Sequence, residues 1–526
     1  MFNRSLINQY AHSLIIVLCI IAVVVFKIPH LSLPFFWDEA WVYVPAVKTM
    51  AEGIPSLMPD AIPVSYTRGH PLLFHFLASS WIKIFGQSNV ALHSFALCIS
   101  VALLVSVYYF GKTIFNKNVA VTATVLLSVQ AVFMAQSSFV LPEVMLALFV
   151  VLTILFFLKE ANIIYVAAAT GLLLTKESGI VLIAVLGLWL FIESFFIAQK
   201  RVSFFVFLKK SLILLLPVFI ASVYFIIQWK KYGWFFYPEH IGIIDVSYSN
   251  FSSGFKNVYM FLFEEQGRRR LTMAFVIMFL LFFNPLQFKW RIILAFLMFA
   301  CVKIFFGAWL LPPLLTLIVC GLIVLSLFYF IPVRSYSQSL SLSDKAIGVI
   351  YLFMISFLLF SSVNFLSKRY LLCLIPLYTL GFSYFLHIYF SQTKWAFVTV
   401  SILAVLYCSL KLFDTKLPGD DNMSYVKVIT LQKEVISYME AQNLYDRNIH
   451  ATFLNSYEMT SPFSSFLSGE KRFSKVGEGL TDSTQYAIIT NYQMDELYDV
   501  IPNSDEFEEI KRFENANFWA GIYQRK

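Results

Sequence analysis

The sequence predicts an α-helical polytopic membrane protein with a small C-terminal α/β soluble domain. Of its 526 residues, 59% are hydrophobic and 13% are charged, whereas ordinary soluble domains carry roughly 25% charged residues. Long apolar runs separated by short basic stretches predict about thirteen transmembrane helices, because each crossing needs about 20 mostly apolar residues. Beyond about residue 413 these runs end, and Asp, Glu, Asn and Ser become abundant.

The predicted spans begin near residues 13, 90, 119, 140, 162, 179, 211, 271, 291, 308, 346, 370 and 395. The first run, Ser13–Pro29, is interpreted as a retained helix because no small-residue cleavage site follows it. With the N-terminus in the cytoplasm, Lys and Arg fall mainly in alternate loops, which is the positive-inside pattern.

This topology predicts two domains in a multi-pass protein of the inner (plasma) membrane. Residues 1–413 form the transmembrane core, whose long loops 34–89 and 229–270 lie on the outer side. An odd number of spans also puts residues 414–526 outside, which in a bacterial cell is the periplasm. In that tail we expect a helix over Tyr425–Asn443 and short strands at Tyr486–Thr490 and Phe518–Tyr523.

Charge and cysteine usage exclude two other classes of function. The net charge of +8 comes from basic residues scattered among loops, so no basic face for nucleic acid is expected. The six cysteines all lie in apolar runs and none has CxxC spacing. We therefore expect neither a disulfide framework nor a thiolate metal site.

The predicted outer loops contain charges that topology does not explain. Arginine and lysine suit phosphate oxygens, which accept charge-assisted hydrogen bonds, whereas a carboxylate at the membrane is costly unless it is paired or functional. The cations are Arg68, Lys230, Lys231, Lys256, Arg268, Arg269, Arg270, Lys368 and Arg369, and the acids are Asp38, Glu39 and Glu143. Two simpler interpretations stay open. The cations contact ordinary phospholipid headgroups, and Asp38 and Glu39 pair with arginines or Asp38 caps the following helix.

The order of several short motifs resembles the polytopic GT-C glycosyltransferases, specifically the family of protein O-mannosyltransferases and bacterial lipid A aminoarabinose transferases. The acidic pair Asp38–Glu39 follows the first span, as the DE motif of that family does. The other matching stretches are Arg68–Leu72 followed by Trp81 and Phe85–Gly86, Pro142–Glu143, Gly171–Lys176, Tyr232–Pro238 and Arg369–Leu372. The resemblance depends on the order of these motifs along most of the membrane region.

The resemblance implies a thirteen-span GT-C core, a sugar donor attached to a polyprenyl phosphate, and inversion at the anomeric carbon. Such a transfer needs a base near the acceptor hydroxyl and cations near the leaving phosphate. We assign the base to Asp38. The donor phosphate is assigned to Lys368, Arg369 and one or two residues of Arg268–Arg270, while Glu39, Arg68, Glu143 and Lys176 are further substrate-binding candidates.

His70 departs from the family pattern, because many members have a lysine immediately before this proline. A neutral imidazole donates a hydrogen bond but carries no fixed charge, and Arg68 is the candidate to supply it. His240 is a second candidate to contact a sugar hydroxyl or phosphate. A divalent metal with Glu143 or Glu239 is conceivable, but no HxxxH or HExxH spacing supports one and no cofactor is predicted.

The sequence therefore predicts an inverting hexosyl- or pentosyltransferase whose partners are a polyprenyl-phosphate-linked donor, membrane lipids, and an acceptor protein, lipid A, glycan or other lipid. One alternative is a transporter or flippase of lipid-linked sugars, for which polar residues near the bilayer midplane and repeated halves are expected. Lys303 and Pro312–Pro313 keep this alternative open. The other alternative is a non-catalytic membrane assembly subunit.

Overall fold

The structure is a computed structural model that describes residues 4–197, 203–274, 340–364, 367–413, 419–492 and 505–526. Within these ranges the core is helical and the C-terminal region contains one sheet. The helices are α1 (Arg4–Lys27), α2 (Val44–Glu52), α3 (Val64–Thr67), α4 (Leu73–Phe85), α5 (Asn89–Phe110), α6 (Lys117–Ser128), α7 (Ala131–Gln136), α8 (Glu143–Leu158), α9 (Asn162–Thr175), α10 (Ile180–Ile192), α11 (Phe204–Tyr232), α12 (Pro238–Gly242), α13 (Tyr248–Tyr259), α14 (Leu342–Ser362), α15 (Ile375–Tyr389), α16 (Lys394–Leu410), α17 (Tyr425–Ala441) and α18 (Phe453–Thr460).

Six helical stretches in the described part of the chain are long and apolar enough to cross a membrane. Four shorter apolar helices, α4, α8, α9 and α16, accompany them. The six stretches are Ala11–His30, Asn89–Phe115, Glu177–Phe196, Phe204–Tyr232, Leu342–Ser362 and Lys368–Tyr389. The predicted polytopic helical fold is confirmed, whereas the count of thirteen spans stays a prediction. The spans expected near residues 271, 291 and 308 lie outside the described residues, apart from 271–274.

The distribution of apolar side chains separates inner helices from helices that face lipid. Helix α8 is buried along most of its length, with Val151 and Ile154 at 0% exposure. Leu18 of α1, Phe219 of α11 and Leu403 of α16 are more than half exposed. Because a bilayer is as apolar as these side chains, such surfaces are stable in lipid and would be unfavourable in water.

Local sequence determines where two of the long helices begin. The Ser88 hydroxyl accepts a hydrogen bond from the Ala91 backbone N–H at 3.2 Å and caps α5. At the start of α14, Ser341 and Asp344 form a capping box in which each side chain accepts from the other residue's backbone. These caps satisfy amide groups that have no partner inside the helix.

The first long loop, residues 34–89, is folded rather than extended. It contains α2, α3 and α4, and the α2 side chains Val44 and Val47 are completely buried. The sequence predicts this segment only as a loop that enters the second span. Helix α4 is apolar but is followed after a short turn by α5, so the loop packs against the core through its own helices.

The C-terminal region forms a five-stranded mixed sheet that is covered by α17, as the predicted α/β domain requires. Its strands are β1 (Ile449–Ala451), β2 (Val476–Gly477), β3 (Tyr486–Thr490), β4 (Phe507–Asn515) and β5 (Phe518–Arg525), in the order β2-β1-β3-β5-β4. Strand β1 pairs in parallel with β2 and β3, and β5 pairs antiparallel with β3 and β4. The predicted helix and both predicted strands are present.

This C-terminal unit packs against the segment that follows α1. The Lys27 ammonium donates to the Tyr425 hydroxyl at 3.1 Å. The Phe35 backbone N–H donates to the Ser465 hydroxyl at 3.2 Å. The Trp41 and Phe453 rings meet edge to face with centroids 5.4 Å apart. The sheet domain is therefore held close to the predicted acidic pair Asp38–Glu39.

Candidate active site

Asp38 lies at the turn between α1 and the helical turn 39–43. Trp37 takes a left-handed backbone conformation with φ of 50°, which redirects the chain just before the acid. The Asp38 side chain makes no capping hydrogen bond, so the capping interpretation is wrong. Instead, one carboxylate oxygen accepts from the Trp41 indole N–H at 3.1 Å, and the other pairs with Arg369.

Glu39 occupies a different environment from its neighbour, because it is completely buried. One carboxylate oxygen accepts from the His93 Nε2 at 3.0 Å and from the Val140 backbone N–H at 2.8 Å. The other accepts from the Phe36 backbone N–H at 3.1 Å. Glu39 thus ties the loop after α1 to α5 and to the segment before α8, and it presents no surface to a substrate.

Arg369 is the centre of a buried group of charged side chains. It lies in the 3₁₀-helical segment Lys368–Leu374 that leads into α15, and its side chain is 3% exposed. Its guanidinium pairs with the carboxylates of Asp38 and Asp420, and its Nε is 3.6 Å from Glu143 Oε1. A buried guanidinium needs such partners, since an unpaired charge inside a protein is strongly unfavourable.

Glu143 and Lys176 complete this group, which we call the Arg369 cluster: Asp38, Glu143, Lys176, Arg369 and Asp420. Glu143 is the first residue of α8, where a negative charge is favourable, and its Oε1 is 3.3 Å from the Lys176 ammonium. That ammonium also lies 3.7 Å from the centre of the Tyr370 ring. The other Glu143 oxygen is buried and has no hydrogen-bond partner among the residues that the structure describes.

Asp420 was missed by the sequence analysis. It follows the last predicted span in the stretch Gly419–Asp420–Asp421–Asn422. Burial raises the pKa of Asp420 to about 6, although Arg369 acts in the opposite direction. An acidic pair directly after an apolar run is the signal that drew attention to Asp38–Glu39, and the same signal marks Asp420.

His70, Glu177 and His240 form a second polar group beside the Arg369 cluster. His70 Nδ1 and Glu177 Oε2 are 2.9 Å apart, and the His70 and His240 rings have centroids 4.8 Å apart. Burial, followed by the charge of His70, lowers the pKa of His240 to about 4. Glu177 was also missed, although it is adjacent to the predicted Lys176.

These three side chains could in principle hold a metal ion, because their ligand atoms all lie within 4.8 Å of one another. Two histidines and a carboxylate are a common ligand set for zinc. The 2.9 Å contact already pairs His70 Nδ1 with Glu177 Oε2, and a proton on this nitrogen donates to the carboxylate. A metal on this nitrogen would have to replace that proton. Glu143 and Glu239, which the sequence analysis named as conceivable metal ligands, are not in this group.

Arg68 directly follows α3 and packs against Trp41. It adopts φ of 45°, and its guanidinium lies 4.4 Å from the centre of the Trp41 ring. Trp41 is the residue whose N–H donates to Asp38. The fixed charge of Arg68 is thus separated from the predicted base by one aromatic side chain.

The three consecutive arginines have unlike environments. Arg268 is completely buried, and it donates to the backbone carbonyls of Phe261 and Leu262 and to the side-chain oxygens of Gln130 and Gln266. A guanidinium enclosed by neutral acceptors has no surface left for a lipid phosphate in this structure.

Arg269 and Arg270 are exposed, and Arg270 lies 4.4 Å from the centre of the Tyr407 ring. Lys368 is also largely on the surface, where its ammonium is 2.7 Å from Glu265. The structure therefore brings four predicted residues, Asp38, Glu143, Lys176 and Arg369, into direct contact. Arg269, Arg270 and Lys368 lie outside that cluster.

Part of the transmembrane core is similar to a known protein family. Residues 69–227 match the family model described as dolichyl-phosphate-mannose-protein mannosyltransferase. The predicted family resemblance is confirmed. The match runs from the loop before α4 to α11 and includes Glu143 and Lys176, and it supports the membrane glycosyltransferase class that the motifs predicted. No curated protein matches the chain.

Solved structures with low similarity were also found. ArnT from Cupriavidus metallidurans bound to undecaprenyl phosphate is 14% identical with a TM-score of 0.44, over 96% of this chain and 97% of that one. Its apo form is 13% identical with a TM-score of 0.45 over the same shares. The apo oligosaccharyltransferase of Archaeoglobus fulgidus is 14% identical with a TM-score of 0.42, over 91% of this chain and 69% of that one.

Proposed function

We propose that this protein transfers a hexose or pentose from a polyprenyl-phosphate-linked donor to an acceptor hydroxyl, with inversion at the anomeric carbon. The acceptor belongs to a protein, to lipid A or to another glycan or lipid. The reaction takes place on the outer face of the inner membrane. The C-terminal domain, residues 414–526, lies on the same side, in the periplasm. The family match supports the class of reaction, and the geometry of the site supports the assignment of roles.

The observation that carries the proposal is the Arg369 cluster. Asp38 precedes the helical turn 39–43, Glu143 begins α8, Lys176 follows α9 and Arg369 lies in the 3₁₀-helical segment before α15. Four separate motifs of the resemblance thus converge on one small volume through direct contacts. A purely structural ion pair would not need five charged side chains from five parts of the chain, because buried charges rarely add net stability.

The proposed step uses Asp38 as the base and Arg369 with Lys176 as the phosphate site. Asp38 takes the proton of the acceptor hydroxyl while the acceptor oxygen forms a bond to the anomeric carbon. The bond from that carbon to the phosphate oxygen breaks, and its electron pair stays on the leaving phosphate. Two cations held in a buried site stabilise the charge that grows on that oxygen, because electrostatic interactions are strong where water is excluded.

Glu143 has one oxygen that is free to contact the donor sugar. Its Oε1 faces Lys176 and Arg369, whereas its Oε2 is buried without a partner in the described part of the chain. A buried acceptor without a donor is unfavourable by about 1–3 kcal/mol. A sugar hydroxyl would satisfy it, so we assign Glu143 to orientation of the transferred sugar.

Glu39 and Arg268 receive structural roles in place of the substrate-binding roles first assigned to them. Both are completely buried and both have their polar atoms bonded within the protein. Glu39 fixes the loop that carries Asp38, and Arg268 fixes the chain after α13. His70 and His240 remain candidates for substrate contact beside Arg68, at the second polar group.

The test is turnover of the purified full chain in lipid nanodiscs, with polyprenyl-phosphate hexoses and pentoses as donors and a membrane extract as acceptor. Release of polyprenyl phosphate is measured. Asp38→Asn should lower turnover by about 100- to 10,000-fold, the range that acid–base catalysis contributes. Asp60→Asn is the matched control, because Asp60 lies in the same loop but pairs at the surface with Lys231, and its turnover should equal that of the wild type.

Two outcomes would contradict the proposal. Full turnover in Asp38→Asn would remove the assigned base. Movement of the donor across the bilayer without release of polyprenyl phosphate would instead favour the flippase alternative.

A further inference from the structure

The guanidinium of Arg369 is covered on both sides in this structure. Its side chain is 3% exposed, and its two terminal nitrogens pair with Asp38 and Asp420. A lipid phosphate needs the same nitrogens, because paired N–H groups are what make arginine a good phosphate ligand. The donor therefore cannot reach Arg369 until one carboxylate leaves.

The charge balance of the Arg369 cluster leads to the same conclusion. The cluster contains three carboxylates, Asp38, Glu143 and Asp420, and two cations, Lys176 and Arg369. Its net charge is thus −1 when every carboxylate is ionised, and an incoming phosphate would be repelled. If one carboxylate moves away or takes up a proton, the charges of the remaining groups sum to zero. The incoming phosphate then replaces the lost carboxylate as a partner of Arg369.

Asp420 is the carboxylate that is best placed to leave. Asp38 is held by the Trp41 indole and is needed at the acceptor, and Glu143 is part of α8. Asp420 lies outside any helix, in the turn before α17. Its backbone is nevertheless anchored, because the Gln136 amide donates to the Asp420 carbonyl at 2.7 Å. A side-chain rotation is therefore sufficient to release Arg369.

We propose that the Asp420 carboxylate occupies the position of the donor phosphate on Arg369 in the free protein and is displaced when the polyprenyl-phosphate donor binds. This inference rests on the proposed function. After transfer, the same carboxylate competes with the product phosphate and promotes its release. Asp420 is a positioning residue in this scheme. The raised pKa of Asp420 also makes its charge easier to lose near neutral pH.

The neighbouring acid provides a matched control. Asp421 is likewise buried, but its carboxylate accepts from the Gln266 amide at 3.1 Å instead of contacting Arg369. Asp421→Asn removes the same charge one residue away from the same turn. An effect caused by competition between Asp420 and the phosphate for Arg369 should therefore appear in Asp420→Asn and not in Asp421→Asn.

The experiment titrates polyprenyl phosphate, without sugar, into the purified full chain in nanodiscs and measures the dissociation constant. Asp420→Asn should bind about tenfold more tightly than the wild type, the change that roughly 1.4 kcal/mol produces. With donor and acceptor, its KM should fall and its kcat should also fall, because the product leaves more slowly. Asp421→Asn should bind within about twofold of the wild type, and Asp420→Glu, which keeps the charge, should bind no more tightly.

The possible failures are distinguishable. Unchanged or weaker binding in Asp420→Asn, with normal saturable binding in the wild type, would overturn the competition. Absence of saturable binding in both proteins would overturn the proposed function itself. If Asp420→Asn does not fold, Asp420→Ser removes the same charge with a smaller side chain, and the same two outcomes apply to it.

Discussion

Two buried arginines from the predicted outer loops have opposite surroundings. Arg369 is 3% exposed and contacts the carboxylates of Asp38, Glu143 and Asp420. Arg268 is completely buried and contacts backbone carbonyls and the side-chain oxygens of Gln130 and Gln266. Both residues were first assigned to the donor phosphate, because both occur in outer loops where positive charge is unexpected.

The difference lies in whether the partners of the arginine can be exchanged. Backbone carbonyls are fixed by the fold, so a phosphate that displaced them from Arg268 would leave buried acceptors unsatisfied. Carboxylates can rotate away, take up a proton or be replaced by another anion. Arginine paired with carboxylates is therefore suited to bind phosphate reversibly, whereas arginine enclosed by neutral dipoles stabilises the local chain path.

Of the variants that test this comparison of the two arginines, Arg369→Gln should have the largest effect on turnover. Loss of the guanidinium removes the main charge opposite the leaving phosphate, and single groups of this kind contribute on the order of 100- to 1,000-fold in kcat. The loss should appear in release of polyprenyl phosphate and in weaker donor binding. Arg369→Lys should recover only part of it, because an ammonium cannot bridge two anions with paired N–H groups.

Arg268→Gln is the comparison variant for Arg369→Gln, with the same measurements of turnover and donor binding. Its turnover per folded molecule should stay within about threefold of the wild type, a difference of under roughly 1 kcal/mol in the barrier. A loss of donor binding as large as that of Arg369→Gln, in folded Arg268→Gln, would show that the two arginines share the phosphate and would remove the distinction between them.

The second effect is that of Arg268→Gln on stability. Several acceptors lose a charged donor, and each hydrogen bond to a charged group contributes about 1.5–3 kcal/mol. We expect a clear fall in the midpoint of thermal unfolding in nanodiscs and a lower yield of folded protein. A midpoint equal to that of the wild type would mean that the carbonyls of Phe261 and Leu262 find other donors and that Arg268 is not structural.

The sequence predicted the architecture more reliably than the roles of single charges. Apolar runs predicted the helices because the bilayer imposes both length and composition on a span. Short apolar runs in the otherwise polar tail likewise predicted β3 and β5. The motif series also predicted Asp38, Glu143, Lys176 and Arg369, which the fold brings together from distant parts of the chain.

What the sequence did not predict is the partner of each charge. Glu39 and Asp38 are neighbours in the chain, yet one is enclosed by His93 and Val140 and the other faces Arg369. Adjacent side chains point in different directions, so spacing alone does not decide which one reaches a site. Asp420 is separated from Arg369 by the two helices α15 and α16, and only the folded chain pairs them.

The smallest expected effect is that of Arg270→Gln. Arg270 is exposed and lies over the Tyr407 ring, and exposed cation–π contacts contribute about 0.5–1 kcal/mol. Donor affinity should change by less than about threefold. The earlier alternative, contact with phospholipid headgroups, predicts that this small effect grows in nanodiscs of anionic lipid and disappears in neutral lipid, because surface electrostatics depend on the charge of the leaflet. A tenfold loss of donor affinity in neutral lipid would instead place Arg270 at the donor phosphate. It would thereby add a residue at the membrane surface to the cations that bind the donor phosphate.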